Sequence, residues 1–446
     1  MKQKEVILMS KFDMIIGYGA VKKELLQIAD TLKNQEHYKK LGVSAPRGLL
    51  LYGEPGVGKS LMATAVIESS GRQAFVCRKD QPDGDFVKQI KETFDQAVEN
   101  APSIVLLDDM DKFANGDERH PDAEEYVTVQ SCIDNAKDKE IFVIATVNNI
   151  YNLPRSLRRA GRFDRTIEIE EPQGNDALAI ISHYLENKPL AEDVDPKLIA
   201  HIMDGRSCAE LETVVNAAGV YAGYERAEAI TMDHLLDACL RIVFNVPTLA
   251  EDGDDHICRA KLSDGNYESS QIVYHEAGHA VVSELLCPDS VTLAYVYHRN
   301  RNSGGFVDCY NDKTYTPLYW KKSRILCTLA GMAANEQKYG AADIGGKSDL
   351  NKAFREMKAL LVDRGVNGLR LHGCRYGDEY SEQLQFEQEQ SVALEVEKFY
   401  KKAKEILALN VEFLEKVAQA LAAKKLLTSA DILEIKRSCN IVSVAL

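Results

Sequence analysis

Two short constellations in this 446-residue sequence combine residue types that bind and turn over ligands. The first is GEPGVGKS at residues 53–60, whose spacing G-x-x-x-x-G-K-S is that of a phosphate-binding loop. Gly53, Gly56 and Gly58 let the backbone curl so that N–H groups point inward at phosphate oxygens, with Glu54, Pro55 and Val57 completing the cradle. A helix opening at Lys59 aims the positive end of its dipole at the same anion. Lys59 reaches the terminal phosphates and the Ser60 hydroxyl ligates Mg²⁺, so the ligand implied is a nucleoside triphosphate. The second constellation is HEAGH at residues 275–279. His275 and His279 are four apart on a predicted helix, so both imidazoles leave one face and can share a zinc ion. Glu276 beside them is the residue type that takes a proton from an attacking water and returns it to a leaving amine.

A catalytic zinc needs a third protein ligand and an open position. The acidic residues of 342–350 (ADIGGKSDL) offer two candidates, Asp343 and Asp349, and chemistry alone does not choose between them. For the nucleotide, the apolar run 103–107 leads into Asp108 and Asp109. Asp108 would hold Mg²⁺ through water and Asp109 would polarise the attacking water. A third apolar run, 141–147, ends in Asn148, whose amide can orient that water. The stretch 157–165 (LRRAGRFDR) is dense in guanidinium and suits fingers reaching a neighbouring subunit's γ-phosphate.

The elements that must carry these groups read as follows. Residues 49–52 form a buried strand before the phosphate loop, 74–76 another, and 86–100 an amphipathic helix. Val21, Leu25, Leu26, Ala29 and Leu32 stand at helical spacing upstream. After Val246-Pro247 an acidic stretch at 251–255 signals a linker. The last part, roughly 351–440, has helical periodicity through Val392, Val396, Phe399, Ala403 and Ile406. The length predicts two to four domains. A net charge of −14 argues against a general nucleic-acid binder, which needs a basic surplus. No apolar run approaches the ~18 residues that cross a bilayer, and residues 6–9 are too short for a signal-peptide core. Ten cysteines without a C-x-x-C pair suit reduced thiols in a cytoplasm.

The ordered set of Phe12 to Gly17, GEPGVGKS, LLDDMD, the strand ending at Asn148, and LRRAGRFDR resembles an AAA+ ATPase, more narrowly the FtsH-type subgroup. HEAGH, Gly304-Gly305-Phe306, AGMAANE at 330–336 and GGKSDL at 345–350 resemble the peptidase domain of that same family. The resemblance implies an α/β P-loop AAA+ module with a small helical lid, followed by a mostly α-helical zincin metalloprotease domain. The expected limits are 1–172 for the nucleotide-binding part, 173–246 for the lid, 247–270 for a linker and 271–446 for the protease. It further implies Asn148 as sensor, Arg159 and Arg162 as trans-acting fingers, Asp349 as third zinc ligand and Glu336 as support for a ligating histidine. Residues 304–307 become an edge strand for an extended peptide, and residues 205–211 open a lid helix near the nucleotide. The cofactors are Zn²⁺ and ATP with Mg²⁺, the partners a homo-hexamer and polypeptide substrates. No membrane anchor is expected in this chain, and its location is expected to be cytoplasmic.

Three departures from the family pattern stand out. Asp109 replaces the usual Glu, one methylene shorter. Lys347 replaces a Ser. The aromatic–hydrophobic–glycine triplet that grips substrate is missing from the polar segment 78–85, where Phe86-Val87-Lys88 is the nearest equivalent. The lead expectation is an ATP-dependent zinc metalloendopeptidase that unfolds and translocates its substrates. The alternative is an ATP-driven remodeller or assembly platform with weak or uncoupled proteolysis.

Overall fold

The computed structural model describes residues 11–43, 46–79, 85–114, 123–159, 161–249, 259–261, 267–299, 302–311, 317–340, 345–366, 368–372 and 381–444. Asp343, residues 6–9, the polar residues 80–84, Ala160 and the acidic stretch 251–255 lie outside them. Two compact units divide the chain: Met1–Pro196 with Met203–Thr231, and Lys197–Ile202 with Met232–Leu446. The residues expected in the lid are shared between them.

In the first unit the helices α1 (Gly19–Lys33) and α2 (Gln35–Lys40) precede a β/α series. The series runs β1 (Gly48–Tyr52), α3 (Lys59–Ser70), β2 (Gln73–Cys77), α4 (Phe86–Glu99), β3 (Ser103–Leu107), α5 (Glu124–Asn135), β4 (Ile141–Val147) and β5 (Arg165–Glu168). The strands form one sheet in the order β2-β3-β4-β1-β5, every pair parallel. Continuous apolar sequence explains the sheet: β1 and β3 are buried almost throughout, as strands covered on both faces must be. All the strands end at one edge, so the loops after β1, β3 and β4 meet there, where parallel sheets bind ligands. Then follow α6 (Gly174–Leu185) and α8 (Cys208–Glu225), while α7 (Pro196–Ile202), between them in sequence, belongs from Lys197 on to the second unit. Ser207 caps α8, its hydroxyl accepting the Glu210 N–H while Glu210 accepts the Ser207 N–H, a reciprocal box.

The second unit holds α9 (Met232–Ile242) and, within the expected linker, a two-stranded antiparallel pair, β6 (Arg259–Lys261) and β7 (Tyr267–Ser269). Its centre is α10 (Gln271–Leu286). Around it lie β8 (Val291–Arg299), β9 (Asn302–Cys309), α11 (Leu318–Tyr339), α12 (Lys347–Lys358), α13 (Glu382–Leu409), α14 (Val411–Lys424), β10 (Leu426–Thr428) and α15 (Ser429–Arg437). β10 and β9 flank β8 antiparallel, so β9 is an edge strand. α10 is apolar on nearly every side because α11, α14 and the sheet bury it from three directions. Small residues let it approach α11: a Cβ on Gly278 would lie 2.6 Å from the Ala330 carbonyl oxygen and from Ala334 Cβ. A partly buried ion pair fixes its far end, Lys436 Nζ donating to the buried Glu284 Oε1 at 2.8 Å.

Candidate active sites at a sheet edge and a helix pair

At the edge of the parallel sheet, the loop between β1 and α3 holds Gly56 and Gly58 at φ +81° and +97°, which residues with a side chain rarely adopt. Glu54, Pro55 and Val57 lie in the same loop, which Gly53 opens. The Gly56 carbonyl accepts the N–H of Ala209 at 3.1 Å, so the capped end of α8 sits on the loop. Lys59 is buried and donates to the carbonyls of Gly53 and Glu54 at 2.7 Å each. Burial pulls its ammonium below the ordinary range, against the attraction of Asp109, Asp111, Glu54 and Asp108. The Ser60 hydroxyl donates to Asp108 Oδ1 at 3.0 Å, which brings the two expected Mg²⁺ groups together.

Asp108 has a further partner that sequence reasoning missed. Thr146, on β4 between β1 and β3, donates to the same Oδ1 at 2.7 Å and accepts the Asp109 N–H at 2.8 Å. The sequence trace of this role is a lone hydroxyl within an apolar strand. Asp109 takes φ 53°, a left-handed conformation that short acidic side chains tolerate. Its Oδ2 accepts from Lys112 Nζ at 2.7 Å and lies 3.9 Å from Arg78, which pairs with Asp108 at 3.1 Å. The Asn148 N–H donates to Asp111 Oδ2 at 3.2 Å, holding the end of β4 against the loop after β3.

The guanidinium cluster divides. Arg159 is exposed. Arg162 is held within its own chain, donating from Nη2 and Nε to Asp134 at 2.8 and 3.2 Å and also to the Ser156 carbonyl. Phe86, the nearest equivalent of a gripping aromatic, lies in the core: Asp85 caps α4 through the Lys88 N–H, and the Phe86 ring turns inward, edge to face with Phe113 at 4.7 Å. Its place in the core follows from the amphipathic face of α4, shared with Ile90 and Phe94.

In the second unit, α10 and the start of α12 bring His275, His279 and Asp349 together. His275 Nε2 lies 3.0 Å from Asp349 Oδ2 and 3.1 Å from His279 Nε2, and His279 Nε2 lies 3.5 Å from the same carboxylate oxygen. Tetrahedral zinc with ligand bonds of about 2.0–2.1 Å separates its donor atoms by about 3.3 Å, so two imidazoles and one carboxylate at these spacings fit the ion. The His279 Nδ1 faces the Cys327 carbonyl at 2.6 Å. A carbonyl only accepts, so the proton sits on Nδ1 and Nε2 is left to ligate. Burial would depress the His279 imidazole, but Asp349, Glu276 and the Cys327 carbonyl outweigh it and raise it. Burial likewise opposes the charge on Asp349, yet the two histidines hold its carboxyl well below the usual range.

Close approach completes the centre. A Cβ on Gly331 of α11 would stand 2.6 Å from Nε2 of both histidines, so only glycine leaves room for the ligands. On the other side β9 passes so near that a Cβ on Gly305 would meet Glu276 Cγ at 2.5 Å. Glu276 is buried beneath this edge strand. Glu336 does not support a histidine. It accepts from Tyr400 and Lys404 at 2.6 and 2.8 Å, tying α11 to α13. Five residues beyond Gly331, it points about 140° round the helix from the ligand face, whereas Cys327, four residues before, shares that face.

Residues 49–171 match the profile of the ATPase family associated with various cellular activities (AAA), and residues 265–435 that of peptidase family M41. The sequence is 30% identical to an ATP-dependent zinc metalloprotease FtsH of Caldicellulosiruptor bescii, over 94% of this chain and 71% of that protein. The chain belongs to the FtsH family. It is similar to FtsH 1 of Thermomicrobium roseum (29% identity, 94% and 67% covered) and FtsH 3 of Symbiobacterium thermophilum (29%, 95% and 70%). Membership makes the chain an ATP-dependent zinc metalloprotease whose cofactors are Zn²⁺ and ATP with Mg²⁺. A remodeller with weak proteolysis is not favoured, because a peptidase profile matches beside the ATPase profile and the relatives are metalloproteases by name. Among the described residues no helix is long and apolar enough to cross a membrane.

Proposed function

We propose that His275, His279 and Asp349 hold the zinc ion and that Glu276 exchanges the protons of peptide hydrolysis. Bound zinc supplies a Lewis acid and a more acidic water. Glu276 receives a proton from the attacking water and passes it to the departing amine, and Gly304 to Val307 pair with the extended substrate backbone. The observation that carries this reading is the spacing of the three donor atoms, with Glu276 beside the edge strand. Zinc content after dialysis tests the ligand choice: Asp349→Ala is expected to lose the metal and Asp343→Ala to retain it. The reverse would assign the third ligand to Asp343.

In the other unit, the loop of Gly53 to Ser60 takes the phosphates, with Ser60 and Asp108 on Mg²⁺, Asp109 and Asn148 on the lytic water, and Arg159 and Arg162 on a neighbour's γ-phosphate. Fingers of this kind require a ring, for which we infer six copies. Arg159 is exposed for that role, while Arg162 first has to leave Asp134. ATP hydrolysis in the ring then unfolds and threads polypeptides to the zinc sites. The functional limits are 1–172, 173–246 and 271–446, joined through 247–270. Eight cysteines among the described residues are free thiols, which supports a reducing, cytoplasmic setting.

A further inference from the structure

The cavity that contains the zinc ligands, about 450 Å³ in volume, continues past them into a pocket that peptide hydrolysis itself does not use. Its walls there are Ser283, Cys309, Arg324, Cys327 and Thr328. Each stands further along an element that the zinc centre already fixes. Ser283 is one turn beyond His279 on α10, and Cys309 is four residues beyond Gly305 on β9. Arg324 is seven residues before Gly331 on α11, hence on the same face and about 10 Å along the helix axis.

Arg324 is half-buried, and its guanidinium carbon lies 5.4 Å from the Trp320 ring one turn back, a cation–π contact that holds its plane. No carboxylate among the described residues forms an ion pair with it, and Glu356 is the weakest of the influences on its charge. Its side-chain neighbour on β9 is the Cys309 thiol, which burial pushes up. A half-buried planar cation with five N–H donors therefore opens onto the cleft, and a carboxylate is the group that matches it. An extended substrate advances about 3.3 Å per residue along β9, so side chains near the scissile bond pass this pocket.

We propose that Arg324 forms an acid-selecting subsite, taking the carboxylate of an Asp or Glu side chain within about three residues of the scissile peptide bond. The proposal rests on the zinc cleft being the peptidase site. The test uses the full-length, zinc-loaded Glu276→Gln protein and a panel of labelled peptides carrying Glu, Gln or Lys at each of the positions flanking the bond. Fluorescence anisotropy is expected to give about 10- to 100-fold tighter binding of Glu than of Gln at one position. Adding Arg324→Ala should bring that ratio to about one, Arg324→Lys should keep part of it, and Arg324→Glu should turn the preference to Lys. The same ratios should appear in kcat/KM with Glu276 restored. Each ratio is taken within one variant, so partial misfolding does not mimic the effect. Equal binding of Glu and Gln peptides, or a Glu preference that survives Arg324→Ala, would overturn the subsite. Failure of every peptide to bind would overturn the cleft assignment and the subsite with it.

Discussion

The nucleotide edge and the zinc centre are built on opposite principles within one chain. At the sheet edge, function resides in loop backbone and in charges that meet after separate strands, so individual side chains can change. Two of the three departures from family pattern fall there: Asp109 for Glu, and a buried Phe86 at the place of a gripping aromatic. The zinc centre is assembled from helices in direct contact, where Gly278, Gly305 and Gly331 leave no volume for a methyl group. The three residues proposed to hold zinc come together there, and the one departure nearby, Lys347, begins α12 two residues before Asp349. A site lined by loops admits drift in side chains, whereas a site inside a packed interface admits almost none.

This contrast can be broken by substitution. Gly331→Ala should have the largest effect. Its methyl group displaces both imidazoles, so bound zinc should be lost and peptide cleavage fall about a thousandfold, the several kcal/mol that a metal supplies. Nucleotide binding should persist, and retained zinc by metal analysis would show that the helix pair yields more easily than its spacing indicates. Lys436→Ala removes the cation from the buried Glu284 carboxylate, leaving it only the Asp289 N–H, and should destabilise the second unit by about 3 kcal/mol in chemical denaturation at neutral pH. Burial already raises the Glu284 pKa against the pull of Lys436. The cost of the charged form is therefore present above the folded pKa and fades as pH falls through it, so the variant should approach the parent under acid conditions. A deficit unchanged by pH would contradict that assignment.

Smaller effects are expected from the loop-built site. Thr146→Val removes the hydroxyl that orients Asp108 and leaves the Asp109 N–H unpaired, and should lower ATP turnover about tenfold. A loss as large as that of Gly331→Ala would erase the distinction between the two sites. Smallest is Thr428→Ala, which opens the capping box of α15 and should cost about 1 kcal/mol, read by thermal unfolding, with both activities retained.

The phosphate loop and HEAGH were legible in the sequence because each is local: a turn or one helix fixes the geometry, and spacing reports it. The strand ends at Asp108 and Asn148 were legible for the same reason. Groups that depend on tertiary order were not. Thr146 matters only because β4 lies between β3 and β1, an order that no local pattern encodes. The Cys327 carbonyl belongs to the backbone and has no residue signature at all. Glu336 was misread because its contacts run to α13, and Phe86 stayed open between grip and core because the Phe113 that buries it arrives from a distant loop. Asp349 was chosen on resemblance alone, and the fold then brings its carboxylate to both histidines.

The central claim is that one chain couples the sheet-edge ATPase to the helix-built peptidase. Degradation of a loosely folded protein by the zinc-loaded enzyme tests it most directly, run with ATP, with a non-hydrolysable analogue, and with Glu276→Gln. The account predicts cleavage that requires both hydrolysis and Glu276. Cleavage that ignores hydrolysis, or survives Glu276→Gln, would contradict it.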